Sequence, residues 1–497
     1  MIAGRRLEGL TQSVQGMVLR GGRPLRVVVA ATCIILGVAG ALLLVLLHPL
    51  IILAMLGAAA VGLAMLRSTQ LGLFALVAVI CLLPFGAIPF SIGFYPTFLD
   101  VALLAVFGVW VARLLTRAQE GSVTSPLDLP IFVFILLAFT VFIAGSANAG
   151  ITKDTLRHFV EIIIAVSLFY VVTNSVRDYR QLRQIVVVII LAGFLASLMG
   201  VVLYFLPRAL TVRLLSLLRV IHYPSGWGVL QFIEDNPDLP MRAISTSVNP
   251  NVLGGLLILV VSLTVPQLFV RRPLIRKEFV APMLAVMLVC LMLTFSRGAF
   301  VAIGAAILLM AVLRYRRLLP VIALAVVLVL ILPQTREYVL HLQQGFLIED
   351  TATLMRMGEY KDAFRLISRY PWFGVGFGGT PSIDIYIGVS CVYLLIAEEM
   401  GLIGLGAFLL IMGVFFAYVW ITWRRLEPYS QGEALLLGLS VALFGAMVGG
   451  IVDHYFFNLD FPHSVSLFWL YAGLAVVAAK IAVHSPEAME GLGEATL

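Results

Sequence analysis

The sequence predicts an all-α fold: a polytopic transmembrane helix bundle of about fourteen spans, possibly twelve, with two long extracytoplasmic loops that contain interfacial helices. Three observations predict it. Of 497 residues, 61% are apolar and only 12% charged, about half the charged share of an ordinary soluble domain and too little to cover a water-facing surface. Apolar runs of roughly twenty residues recur from Val27 to Ala482, each long enough to cross about 30 Å of hydrocarbon. The basic residues also segregate: with the amino terminus inside, 21 Lys and Arg fall on the cytoplasmic side and only Lys153, Arg157 and Arg297 in short outer connections, the positive-inside pattern. A cytosolic enzyme, a secreted disulfide scaffold and a disordered chain are excluded. The net charge of +7 reflects this asymmetry and is no sign of nucleic-acid binding.

In chain order, residues 1–26 form a basic cytoplasmic N-terminus. The first apolar run, 27–47, shows no clear small-residue cleavage site, so it is expected to be a retained span rather than a signal peptide. Spans at 49–66, 71–89, 97–116, 128–145, 156–173 and 184–206 complete an N-terminal group, 27–206. Their Gly, Ala and aromatic residues follow no period of two, which favours helices over barrel strands. The first long outer loop, 207–250, contains Leu and Val at spacings of three and four over 209–221, the pattern of an amphipathic helix. Spans at 251–270, 279–295, 298–313 and 318–333 form a central group, 251–333. A second long outer loop and half-helix occupy 334–400. Within it, 353–369 places Leu354, Met357, Phe364 and Ile367 roughly on one stripe, and both loop helices are expected to lie on the outer leaflet. Spans at 401–422, 434–452 and 464–481 form the C-terminal group, 401–482, and 483–497 is a cytoplasmic tail. Cys33, Cys81 and Cys290 fall in spans and Cys391 near a helix start, with no zinc or disulfide spacing.

Polar residues gather in a few places. In Met241–Gly255, Asn249-Pro250-Asn251 reads as an N-cap followed by Pro at the first helical position. Arg297, at the tip between two spans, either snorkels at a boundary or joins backbone N–H groups of the next helix in an anion site. PWFGVGFGG at 371–379 contains GxGxxG, but it lacks the strand–helix setting of a dinucleotide site. Its glycines more plausibly let the backbone pass close to a ligand or another helix. Asp384, Glu398 and Glu399 border or enter an apolar stretch. Intramembrane carboxylates are functional candidates, with helix packing as the alternative, and Glu161 and His158 pose the same choice.

Together these pieces resemble the O-antigen ligase and polymerase superfamily of bacterial envelope glycan enzymes. The resemblance covers about residues 242–422: R-A-I-S-T-S-V-N-P-N, then L-T-F-S-R-G-A, then Arg356 followed by P-W-F-G-V-G-F-G, then Y-L-L-I-A-E-E-M-G-L-I-G-L. It implies a glycosyl transfer at the outer face of the inner membrane. The donor would be a glycan on undecaprenyl diphosphate, the acceptor a glycan or lipid-linked core, with membrane lipids around both. It implies no cofactor, metal or nucleotide sugar. By motif position Arg242, Arg297 and Arg356 are the diphosphate-binding candidates, expected to meet in one sheltered place. The family's His-Asn corresponds here to Ser390 and Cys391. Serine alone is no general base, so either Asp384 or Glu399 takes the proton as the catalytic candidate or the reaction relies chiefly on leaving-group stabilisation, and the assignment leans toward a polymerase or an undefined member. Further pocket candidates are Asn249, Asn251, Ser390, Tyr393, Glu161 and His463. The rivals are a secondary transporter or lipid-linked glycan flippase and an inactive assembly scaffold. A transporter would place charges near the bilayer midplane and break helices in pairs, and no internal repeat is evident.

Overall fold

The computed structural model describes residues 68–89, 91, 93–116, 124–331, 351–378 and 388–484. The chain divides into Met1–Ala64 and Met65–Leu497, and all described residues belong to the second unit. The expected spans at 27–47 and 49–66, the basic N-terminus and Asp384 lie outside the described residues, as do the last thirteen residues.

The described residues are helical almost throughout. The N-terminal helices are α1 (Thr69–Leu82), α2 (Phe98–Leu115), α3 (Asp128–Gly145), α4 (Lys153–Ser175) and α5 (Tyr179–Phe205). The first long loop then contributes α6 (Arg208–Leu217) and two two-residue strands, β1 (Gln231–Phe232) and β2 (Met241–Arg242). Central helices α7 (Pro250–Thr264), α8 (Lys277–Leu293), α9 (Arg297–Leu313) and α10 (Leu318–Ile331) follow, then α11 (Thr351–Arg369). Three helices close the order: α12 (Val392–Trp423), α13 (Gln431–Gly449) and α14 (Pro462–His484).

Eight of the described helices are long and apolar enough to cross a membrane: α2, α3, α4, α5, α7 with its 3-10 extension, α12, α13 and α14. The expected count of about fourteen is not reached among the described residues. Helix α1 stops at Leu82 rather than residue 89 because Pro84 follows, and proline disfavours helical backbone in the residue before it. Helices α8, α9 and α10 run 17, 17 and 14 residues, short of a full crossing by length. The two-stranded pairing of Gln231 with Arg242 and Phe232 with Met241 departs from a purely helical expectation, since two residues are too few to show alternation.

Helices α7, α13 and α14 are the centre of the bundle. Their most apolar windows are 89%, 83% and 94% buried, so they are wrapped by protein rather than lipid. The first long loop has its own small core of Leu215, Val229, Leu230 and Ile244, each worth about 1.5–3 kcal/mol when fully buried. Ser245 Oγ donates to the Ala196 carbonyl at 2.8 Å, and the Ala243 N–H donates to the Leu293 carbonyl at 2.8 Å. These bonds dock the loop on α5 and the end of α8. The amphipathic expectation for 209–221 corresponds to α6 with the 3-10 turn Leu218–Ile221. In α11, Ala363 and Leu366 are buried, whereas Leu354 and Phe364 are exposed and Met357 borders an apolar hollow, so the predicted stripe is not the face packed on the bundle.

Helix α12 is broken at Gly401, whose φ is 69° and ψ −176°. The Pro371–Gly376 turn fits into this break. The N–H of Val375 donates to the Glu398 carbonyl at 2.8 Å, and that of Gly376 to the Glu399 carbonyl at 3.0 Å. A Cβ on Gly374 would overlap those same carbonyls, and one on Gly401 would overlap the Trp372 backbone. Gly374 and Gly376 of PWFGVGFGG therefore serve close helix approach.

Candidate functional site

The site begins where the first long loop returns to the bundle. Asn249 caps α7, its side chain accepting from the N–H groups of Asn251 at 2.8 Å and Val252 at 3.4 Å, with Pro250 at the first helical position. The cap fixes Asn251, whose Oδ1 accepts a bond from Arg242 Nη2 at 2.7 Å. Arg242 Nε donates to the Thr294 carbonyl at 2.8 Å. One guanidinium is thus anchored by the start of α7 and the end of α8.

Arg297 is the first residue of α9, which begins after Ser296 without a side-chain cap. Its Nη2 approaches Thr353 Oγ1 of α11 at 3.4 Å, and Arg356 lies one turn further along α11. Arg242, Arg297 and Arg356 line a single hollow of about 80 Å³ together with Asn251, Ser296, Gly298 and Glu234. Three guanidinium groups and an uncapped helix N-terminus around one space suit a multiply charged anion. Burial pushes the Arg242 pKa down to about 10, Arg356 and Arg297 push the same way, and Asp453 and Asp235 oppose them. Arg242 stays cationic at neutral pH and lacks a full countercharge. Ser245, Val248 and Phe295, around the same loop ends, hold φ values of 51°, 58° and 50°. Such left-handed backbone costs each non-glycine residue on the order of 1 kcal/mol or more and persists where the surroundings enforce it.

A second, apolar hollow of about 350 Å³ adjoins the first and shares Arg297, Gly298 and Arg356 with it. Val301, Met357, Tyr360, Val448 and Val452 line the rest. A cationic hollow and an apolar trough therefore meet at two arginines.

Residues 282–409 match the family model described as O-antigen ligase. The match supports the resemblance of this stretch to the O-antigen ligase and polymerase superfamily. It supports an O-antigen ligase- or polymerase-like function in general, and the apolar helices indicate a membrane protein. No curated protein matches the chain. The ligase match contains Arg297 and Arg356, whereas Arg242 precedes it and reaches the shared hollow through the loop fold.

Other sequence-predicted residues of this chain lie elsewhere. Glu161 pairs with Arg157 at 2.8 Å, and Arg157 also reaches Asp100 at 3.1 Å, an ion cluster tying α2 to α4 away from the arginine hollow. His463 is buried at the start of α14, edge-on to Phe85 with centroids 4.9 Å apart. The Tyr393 hydroxyl donates to the Met447 carbonyl at 2.8 Å, joining α12 to α13. Glu399 is buried beside the break in α12 and lines neither hollow. Ser390 is nearer the arginines: its N–H donates to Glu359 Oε2 at 2.9 Å, and its carbonyl accepts from the Tyr360 hydroxyl at 3.3 Å. Burial raises the pKa of the adjoining Cys391 thiol, so it stays protonated.

Two residues escaped the sequence reading. Asp453, in the turn between α13 and α14, is buried within the electrostatic reach of Arg356 and Arg242. Burial raises its pKa, and Arg356, His454 and Arg242 pull it back. His454 follows, its Nδ1 3.2 Å from the Val389 carbonyl. The signal was there to find: an Asp-His pair bounding the expected span at 434–452, in a stretch where only His463 was weighed.

Proposed function

We propose that this chain is a metal-independent membrane glycosyltransferase of the bacterial inner membrane. It would move a glycan from an undecaprenyl-diphosphate carrier to a glycan or lipid-linked acceptor at the outer face. The observation that carries this reading is the meeting of Arg242, Arg297 and Arg356 at one hollow with an apolar trough beside it. In such a transfer the acceptor oxygen attacks the anomeric carbon while the carbon–oxygen bond to the diphosphate breaks. Negative charge grows on the departing diphosphate. Fixed guanidinium groups in a sheltered site stabilise that charge without reorganising at the moment of reaction. The trough offers the first isoprene units of the carrier an apolar wall.

A transporter reading fits less well. The three arginines lie in a loop, at a helix start and on the loop helix α11, rather than in the middle of spanning helices. Deletion of the protein from its host, followed by analysis of lipid-linked glycans, tests the proposal. Accumulated single repeat units identify a polymerase, and long unattached chains identify a ligase. Unchanged envelope glycans would refute transfer.

A further inference from the structure

We infer that His454 is the general base that removes the proton from the acceptor hydroxyl. The inference deepens the proposed transfer reaction and rests on it. The attacking hydroxyl approaches the anomeric carbon from the face opposite the departing oxygen. Its base must therefore stand near the arginine hollow without belonging to its anion-binding wall. Glu234 lines that wall and sits on the leaving-group side. Asp453 lies under the influence of Arg356 and Arg242, and Glu359 is committed to the Ser390 N–H.

His454 is differently placed. The Tyr360 hydroxyl, one turn along α11 from Arg356, approaches both the Ser390 carbonyl at 3.3 Å and the Ile451 carbonyl at 3.4 Å. The Val392 N–H donates to the Gly450 carbonyl at 2.8 Å and approaches that of Asp453 at 3.2 Å. These bonds gather the 388–392 segment, the turn after α13 and the Arg356 face of α11 into one unit, with Ile451 and Val452 lining the trough. Within it the Val389 carbonyl faces His454 Nδ1 at 3.2 Å. A carbonyl can only accept, so Nδ1 carries the hydrogen in this contact and Nε2 is the nitrogen left to accept a proton. The Phe461 ring stacks on the imidazole with centroids 5.9 Å apart. The ring is half-buried, and Nε2 has no hydrogen-bond partner among the described residues. An imidazole fixed by one nitrogen and open at the other is the arrangement general-base catalysis needs.

The step balances. The acceptor oxygen forms a bond to the anomeric carbon as its proton passes to Nε2. The bond to the diphosphate breaks with its electron pair leaving on the diphosphate, and the imidazolium later returns its proton to water.

His454→Asn is the informative variant, because its amide N–H can still donate to the Val389 carbonyl while the basic nitrogen is gone. The full chain in lipid nanodiscs is assayed for glycan transfer and, separately, for binding of undecaprenyl diphosphate. His454→Asn is expected to transfer at least about 100-fold more slowly, with undecaprenyl diphosphate bound as in the wild type, and added imidazole is expected to restore part of the rate to His454→Ala. Transfer by His454→Asn at the wild-type rate overturns the assignment and leaves the arginine site standing. A wild type that neither binds undecaprenyl diphosphate nor transfers glycan overturns the underlying reading, and this inference with it.

Discussion

Arg242 and Asn251 are joined by a 2.7 Å bond from guanidinium to side-chain carbonyl, and Asn251 is itself set by the Asn249 cap of α7. The relationship makes the loop arginine part of the helix start. Hydrogen bonds to charged groups contribute about 1.5–3 kcal/mol, so Asn251→Ala is expected to weaken undecaprenyl diphosphate binding about 10- to 100-fold. Arg242→Lys should lose as much, because an ammonium cannot span both Asn251 and the Thr294 carbonyl in the same plane. Wild-type affinity in both variants would remove the orienting role.

The three arginines were legible in the sequence because each interrupts an apolar context, at a loop end, a helix tip and an amphipathic stripe. Their meeting was a matter of tertiary structure: β2, the start of α9 and α11 are separated by more than fifty residues each. The helices were legible from apolar length, but span counting treated every apolar run as a full crossing. Pro84 cuts α1 short, and Gly401 divides α12 by a backbone angle that hydropathy does not register. Glu399 stood out as a carboxylate in an apolar run, and the fold instead places it behind the turn that fills the α12 break. His454 went unnoticed because its meaning depends on the carbonyl of Val389, 65 residues away.

Glu399→Gln keeps the shape of a buried carboxyl while removing its ability to ionise. Since Glu399 is buried behind the Pro371–Gly376 turn that fills the α12 break, transfer by this variant is expected within a few-fold of wild type. A loss on the scale of about 100-fold would return Glu399 to the chemistry.

The α12 break makes a structural prediction. Gly401→Ala would force alanine to φ 69° and drive its Cβ into the Trp372 backbone. A non-glycine residue at this positive φ with extended ψ costs about 1–3 kcal/mol by itself, and the overlap adds to it. A lowered thermal midpoint in detergent, with a similar loss for Gly374→Ala, is the expected result. Unchanged melting would mean the turn does not seat in the break.

The pKa of Arg242 gives a pH dependence. Burial lowers it to about 10, with Arg356 and Arg297 adding to burial and Asp453 and Asp235 opposing it. The guanidinium is charged below that value and loses its proton above it. Undecaprenyl diphosphate binding should therefore hold level between pH 8 and 9, values about one to two units below that pKa, and fall as pH rises through about 10. In Arg242→Ala the weaker binding that remains should lack this alkaline limb.

The central claim is that separate stretches of chain grip one diphosphate. A double-mutant cycle on Arg297→Ala and Arg356→Ala, read as undecaprenyl diphosphate affinity in nanodiscs, tests it most directly. Two groups holding the same ligand should show a coupling of about 0.5 kcal/mol or more, each single loss being large and the double loss departing from their sum. Strictly additive small effects, or affinity untouched by either change, would contradict it.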